Sequence, residues 1–307
     1  MNLDDLKRLY ALPLPELLYQ AQTVHREHLD QADIQRCALL SIKTGGCAED
    51  CGYCSQSAHF KTSVKPSPLM EVQEVREKAT RAKELGATRF CMGTAWREPK
   101  DGPGFDNILE MVKTVRGLGM EACVTLGMLS ESQAERLKEA GLTAYNHNLD
   151  TSRRHYPNVV TTRSYDDRIK TLQHVQKAGI QVCCGGIIGM GESEEDRLMM
   201  LAELLALETP PESVPINTLV PIEGTPMADL PPVDSIQLVR LIAVARIAFP
   251  KSRVRLSAGR DRMSKELQVL CFLAGANSIF FGDKLLTAPN PEATEDAELF
   301  RAMGLPA

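Results

Sequence analysis

The chain reads as an α/β protein, a (β/α)8 barrel of the TIM type with a short helical extension at its amino end. Three observations predict this. From residue 35 onward, short apolar or β-branched runs alternate with helical stretches. Glycines recur between the end of a helical stretch and the next run. The 307 residues carry eight such runs with no composition break between them. Strands that alternate with helices build parallel sheets, because a parallel partner can be reached only by a crossover. Eight repeats at this length favour closure into a barrel. An open doubly wound sheet is the alternative, but it usually carries a phosphate loop after its first strand, and here that loop holds cysteines.

Residues 1–30 read as amphipathic and helical. Pro15 fits the first turn of a helix over Glu16–His28, where its missing N–H costs little. His25 and His28 stand three apart on that helix and read as a solvated face. Strands are predicted over Gln35–Lys43, Thr88–Ala95, Glu121–Gly127, Thr143–Asp150, Gln181–Gly189, Val214–Pro221, Arg253–Ala258 and Ser278–Gly282. Helices are predicted over Met70–Leu85, Asp106–Leu118, Glu131–Ala140, Tyr165–Ala178, Glu194–Leu207, Ser235–Ala248, Lys265–Ala274 and Glu295–Met303. Gly86, Gly119, Gly141, Gly179 and Gly275 follow helical runs, where a left-handed residue ends a helix at little cost. Ser130 with Gln133 spells a capping box. The predicted organisation is a single domain, 1–307, with an extension over 1–34, a barrel over 35–291 and a helix and tail over 292–307.

Composition excludes several classes. Net charge is −5, from 35 basic and 40 acidic residues, and no long basic run is present, so nucleic acid is not an expected partner. No apolar run approaches the roughly 20 residues that span a bilayer, so neither is a membrane. Met1-Asn2-Leu3-Asp4-Asp5 lacks the basic-then-apolar start of a secretory signal. The nine cysteines form no regular disulfide framework. A cytoplasmic protein with reduced thiols is expected, in which cysteines more often serve metals or catalysis than crosslinks.

The informative stretch is Gly46-Cys47-Ala48-Glu49-Asp50-Cys51-Gly52-Tyr53-Cys54-Ser55. Cys47, Cys51 and Cys54 are spaced C-x3-C-x2-C in the loop after the first strand. Three thiolates can hold three corners of a four-iron cluster, whose full complement is four. The remaining corner is then free for chemistry, as open positions are in catalytic metal sites. A zinc knuckle is the alternative reading of such a loop.

Barrel interiors are normally filled by branched apolar side chains. Here Cys91, Cys123 and Cys183 stand on three predicted strands. In Val254-Arg255-Leu256-Ser257, Arg255 falls on the face opposite Val254 and Leu256. If that apolar pair meets the helices, Arg255 points inward, and a buried guanidinium demands an anionic neighbour. A second iron–sulfur cluster among the three thiolates would supply one. Cys184 must face the other way, and Cys37 and Cys271 read as core. Asn146, Asn148 and Asp150 share one face at a strand end, where barrel enzymes place their sites; His147 alternates away from them.

Cys47 to Cys54 in this spacing resemble the signature of the radical S-adenosylmethionine (SAM) enzymes. The run Ser41-Ile42-Lys43-Thr44-Gly45-Gly46-Cys47, continuing to Tyr53-Cys54-Ser55-Gln56-Ser57, is similar to the biotin synthase family. So are Arg89-Phe90-Cys91-Met92-Gly93, Glu121 to Gly127, Val182-Cys183, and Val254 to Arg260. Gly185 to Glu192 matches the radical-enzyme pattern G-x-I-x-G-x-x-E.

The resemblance implies a 4Fe–4S cluster on Cys47, Cys51 and Cys54. It also implies a 2Fe–2S cluster on Cys91, Cys123, Cys183 and Arg255. Asn148 and Asp150 would touch the SAM ribose and the substrate, Arg168 the cofactor's carboxylate, Tyr53 the adenine, mainly through its backbone, and Asn217 the ureido group of dethiobiotin. The implied reaction is radical sulfur insertion converting dethiobiotin to biotin, with an external electron donor of flavodoxin or ferredoxin type and a homodimeric assembly. The alternatives are a related radical SAM mutase or maturase without sulfur donation, and a non-catalytic iron–sulfur or zinc protein.

Overall fold

The predicted alternation is realised in a closed parallel sheet. The strands are β1 (Gln35–Lys43), β2 (Arg89–Thr94), β3 (Glu121–Thr125), β4 (Ala144–Asn146), β5 (Gln181–Cys183), β6 (Gly186–Ile188), β7 (Ser213–Thr218), β8 (Arg253–Leu256) and β9 (Ser278–Phe281). Their order is β5-β4-β3-β2-β1-β9-β8-β7-β6. Closure comes where Cys183 of β5 pairs with Ser213 of β7, while β6 continues along the same neighbour. β5 and β6 are thus two halves of one of eight staves. This computed structural model describes residues 1–282 and 284–306. Asp283 and Ala307, inside the predicted barrel and tail spans, lie outside the described residues.

The predicted strand Gln181–Gly189 is broken in the middle for a steric reason. A Cβ on Gly185 would lie 2.0 Å from the carbonyl oxygen of Pro215, so the backbone there approaches β7 too closely for a side chain. The predicted strand Thr143–Asp150 keeps regular pairing only to Asn146. Beyond it, the chain still bonds across the gap: Leu149 N–H donates to Gly185 O (3.0 Å), and Ile187 N–H donates to Asp150 O (2.8 Å).

The helices between strands are α3 (Val72–Glu84), α4 (Pro103–Gly117), α5 (Glu131–Glu139), α6 (Tyr165–Lys177), α7 (Glu194–Leu205), α8 (Ser235–Ala248) and α9 (Lys265–Leu273). A final helix, α10, spans Ala293–Ala302. The predicted capping box opens α5, with Ser130 accepting from Gln133 N–H and Gln133 accepting from Ser130 N–H. The same device, with aspartate as the reaching residue, opens α6 and α7. α1 (Leu3–Tyr10) and α2 (Leu14–His28) precede the barrel and pack outside α7 and α8. α8 is therefore covered on both faces, which is why its sequence is apolar nearly all round.

One expectation for this region is corrected. His28 is exposed, but His25 is 2% exposed and neither of its ring nitrogens has a hydrogen-bond partner. Leu17, Ala21 and His25 recur every four residues and form the stripe α2 buries. The sequence shows that period, but only the presence of α8 opposite makes it a contact.

Candidate active site

Residues 44–66, between β1 and α3, carry Cys47, Cys51 and Cys54. Backbone bonds fix the loop. Cys47 N–H donates to Gln56 O (2.9 Å), Ala58 N–H to Cys47 O (2.7 Å), and Gly52 N–H to Val159 O (2.8 Å). The two carboxylates inside the motif anchor it from the other side. Asp50 accepts from Thr161 N–H (2.9 Å) and Thr162 N–H (3.2 Å), while Glu49 accepts from the Thr162 hydroxyl and pairs with Arg97 at 3.2 Å. Burial alone would raise the Asp50 carboxyl, but the Thr161 and Thr162 hydrogen bonds outweigh it and hold the pKa at about 2.

This clamp brings Arg163 over the thiols. Its Nη2 lies 4.0 Å from Cys51 Sγ; its Nε has no hydrogen-bond partner, with the Glu49 carboxylate 4.0 Å away, and the side chain is only 8% exposed. A cation with an unspent donor beside three thiols suits an anionic group held among them. Burial pushes Cys51 up to about 12 and Cys54 up to about 11, so metal loading must displace their protons. Among the described residues no trio of His, Cys, Asp or Glu is set to hold a single metal ion. A polynuclear cluster makes a different demand, since each thiolate takes its own iron.

At the carboxyl end of β4 the predicted polar face is present. Asp150 is 1% exposed and accepts from Arg168 Nη2 and from the Tyr53 hydroxyl at 3.1 Å. Arg168 is 3% exposed; its Nε donates to the Tyr156 hydroxyl (2.8 Å) and its Nη1 to Asn148 O. Three of a guanidinium's five N–H donors are thus engaged, leaving donors for a ligand carboxylate. Asn148 Oδ1 accepts from Gly185 N–H at 3.2 Å. Tyr53 contributes its hydroxyl to this network, where the sequence suggested mainly its backbone. Glu192, which ends the G-x-I-x-G-x-x-E run, accepts from Gly189 N–H (2.8 Å) and Met190 N–H (2.7 Å), so it stiffens the turn that follows β6.

Inside the barrel, Cys91 and Cys123 face each other across β2 and β3, and Cys183 lies opposite Asn146 on β4. Arg255 points inward as its strand parity requires. It is 1% exposed and donates from Nη1 to Cys183 Sγ (3.4 Å), from Nε to Ser278 Oγ (2.9 Å) and from Nη2 to Gln35 Oε1 (3.2 Å). Among the described residues it pairs with no carboxylate within salt-bridge distance. A buried positive charge with only thiols and neutral oxygens around it suits an anionic cluster at that place. The thiol of Cys183 is drawn down to about 7, first by the hydrogen bond from Cys123, with Arg255 and Arg89 adding to the effect against burial.

Both groups open onto one cavity of about 320 Å³. Cys47, Cys51, Cys54, Cys91, Cys123 and Arg255 all line it, as do Tyr53, Asn148, Asp150, Arg168 and Asn217. Asn217 donates to Gly186 O (3.0 Å) and accepts from Ala258 N–H (3.1 Å), so backbone holds its amide at the cavity wall. Cys184 and Cys271 pack in the main apolar core, as expected. Cys37 does not; it belongs with Cys91, Cys123 and Ala144. His147 is buried with its Nε2 unpartnered. Sequence reasoning missed Arg163 and the Glu49–Asp50 clamp. The signal available was two acidic residues inside a motif built to gather negative charge, which requires a compensating cation.

The Radical SAM superfamily profile matches residues 41–205, and that of the Biotin and Thiamin Synthesis associated domain matches residues 215–306. Biotin synthase of Methylorubrum populi is 61% identical over 306 residues, covering 99% of this chain and 90% of that one. Biotin synthase of Myxococcus xanthus is 59% identical over 304 residues, covering 99% of this chain and 88% of that one. Among solved structures, methylornithine synthase superposes with a TM-score of 0.84 at 20% identity, covering 100% of this chain and 94% of that one. A maturase of the FeFe-hydrogenase gives 0.84 at 18% identity, covering 99% of this chain and 71% of that one; at such identities these two show the fold alone. By these matches along nearly its whole length, the chain belongs to the biotin synthase family of radical SAM enzymes.

Proposed function

We propose that the protein converts dethiobiotin to biotin by radical sulfur insertion. One observation carries the reading: the loop thiols Cys47, Cys51 and Cys54 and the barrel thiols Cys91 and Cys123, with Arg255, line the same cavity. A 4Fe–4S cluster bound at the loop would supply the electron for reductive cleavage of SAM, the source of a radical able to take hydrogen from saturated carbon. A 2Fe–2S cluster within the barrel supplies the sulfur. A saturated C–H bond offers nothing to acids and bases, so the hard chemistry belongs to the cofactors and the protein positions and shields them.

The chain's own residues do that positioning. Cys47, Cys51 and Cys54 would hold the first cluster, three thiolates where a four-iron cluster has four corners. Asp150, held by Arg168 and Tyr53, would accept ribose hydroxyls. Arg168 has donors remaining for the cofactor's carboxylate. Asn148 and Asn217 face the cavity with amides suited to the ribose and to the ureido ring. Cys91, Cys123, Cys183 and Arg255 would hold the second cluster. The same reading includes an external electron donor of flavodoxin or ferredoxin type, a homodimer, a cytoplasmic setting and a single domain divided near residues 34 and 291. No helix among the described residues is long and apolar enough to cross a membrane.

Anaerobic assay of the wild type and of Cys183→Ala with dethiobiotin, SAM and a reductant tests the reading. The wild type should yield biotin, and the variant should still cleave SAM but form no biotin. Biotin made at the wild-type rate by the variant would remove the sulfur-donor assignment. A wild type that cleaves SAM without forming biotin would favour the mutase or maturase alternative.

A further inference from the structure

The barrel interior holds four thiols, one more than the ligand set above uses. Cys37 on β1 is fully buried and packs with Cys91, Cys123 and Ala144. Its register explains this. It stands opposite Arg89 on β2 and Phe280 on β9, so it shares the inward parity of Leu39, which is paired with Cys91. Cys37 packs with Cys91 and Cys123, Cys91 stands opposite Cys123 across β2 and β3, and Cys183 lies on β5, opposite Asn146 of β4. Arg255 extends the arc at Cys183, and Gln35 closes it. Gln35 Oε1 accepts from Arg255 Nη2 at 3.2 Å and from the Cys37 thiol at 3.4 Å. Cys37 and Arg255 are therefore the two ends of one ring, joined through a single amide oxygen.

The chemistry of the two ends is unequal. Iron–sulfur clusters ordinarily take thiolates at every protein corner. A guanidinium has five donors and no acceptor lone pair, so it ligates iron only as the neutral guanidine. A thiol on the same ring has no such handicap once it releases its proton.

We propose that Cys37 is a reserve ligand of the second cluster, able to take the iron corner that Arg255 occupies. The exchange balances without an oxidant or reductant. The Fe–N bond to Arg255 breaks and an Fe–S bond to Cys37 forms. The Cys37 proton passes to the departing guanidine, which regains its ordinary charge. Gln35 Oε1 accepts from both groups and so holds them side by side for that transfer. The consequence is retention: an iron released by Arg255 stays in the chain. This rests on the reading that a second cluster occupies the barrel.

Anaerobic reconstitution of the full chain with iron and sulfide, followed by iron counting and Mössbauer spectroscopy, tests it. Wild type and Cys37→Ser should each hold roughly six irons, the content of one four-iron and one two-iron cluster. Arg255→Met should also hold roughly six, with an all-thiolate signature for the two-iron cluster. Arg255→Met combined with Cys37→Ser should fall to roughly four. A fall to four in Arg255→Met alone, six irons kept by the double variant, or a fall to four in Cys37→Ser alone would overturn the reserve role. Four irons in the wild type would instead overturn the second-cluster reading. Should Arg255→Met lose the first cluster too, and so report misfolding, Arg255→Ala with and without Cys37→Ser carries the same comparison.

Discussion

Asp150 concentrates the local physics of the site. Among the described residues it is the one non-glycine with positive φ, at 66°. Aspartate and asparagine tolerate the left-handed region better than other side chains, because a short polar group can bond locally there. Its carboxylate is buried against a buried guanidinium, that of Arg168. Asp150→Asn keeps the backbone but removes the charge, leaving Arg168 without its counter-ion. That should cost about 3 kcal/mol, at the low end for breaking a buried pair, because the amide still accepts a hydrogen bond. Asp150→Ala should cost about 1 kcal/mol more through backbone strain. Denaturant unfolding of the two variants checks the order; equal loss in both would show that the strained backbone contributes nothing. The sequence exposed the Asn146, Asn148 and Asp150 face by parity alone. It could not show that Tyr53, nearly a hundred residues earlier, donates to the same carboxylate, because nothing local links the two.

At the scale of elements, α2 shows where reading by pattern stops. Its first turn at Pro15 and its amphipathic character were legible, while the burial of His25 depended on α8. Burial, reinforced by Arg246, Arg253 and Arg26, pushes the His25 imidazole down to about 4 from an ordinary 6.5. The sign follows from proton uptake. Below 6.5 the unfolded chain binds a proton that the folded chain refuses until about 4. The contribution is therefore present above pH 6.5 and is lost as pH falls from 6.5 to 4. A shift of that size corresponds to roughly 3 kcal/mol. His25→Leu should be close to neutral at pH 7, since both ring nitrogens lack partners, and should recover about that much of the acid loss. Unfolding free energies of wild type and variant at pH 7, 5.5 and 4 test this; parallel curves would show that His25 does not titrate on unfolding. The broken fifth stave teaches the same limit. Gln181–Gly189 has the composition of one strand, and only the approach of Pro215 to Gly185 divides it.

Across the whole molecule, the barrel is sealed beneath the second group of thiols by a charged plate. Arg89 is fully buried; it donates to Glu121 at 2.7 Å and, through both terminal nitrogens, to Glu212 at 2.9 and 3.0 Å. Gln35 joins it at Glu121 and also reaches Arg255. This plate ties β1, β2 and β3 to the turn before β7, and so fixes the interior thiols relative to one another. Glu212→Ala removes the bidentate partner and leaves Arg89 with Glu121 alone. A fully buried pair would lose roughly 3–5 kcal/mol; the Glu212 side chain is 24% exposed, so about 2 kcal/mol is expected. Thermal unfolding of the variant tests this, and an unchanged Tm would show that Glu121 suffices.

The barrel, the places of its helices and the three-thiol loop are legible in the chain, as are Cys91, Cys123, Cys183 and Arg255 as candidates for the interior. Each of these is written in a local period or spacing, and local rules operate within a few residues of chain. Folding adds that Cys37 joins those thiols, that Arg163 sits over Cys51, and that Tyr53 completes the Asp150 network. Those contacts join strands and loops distant along the chain, and their register is set by closure of the sheet, which no local pattern contains.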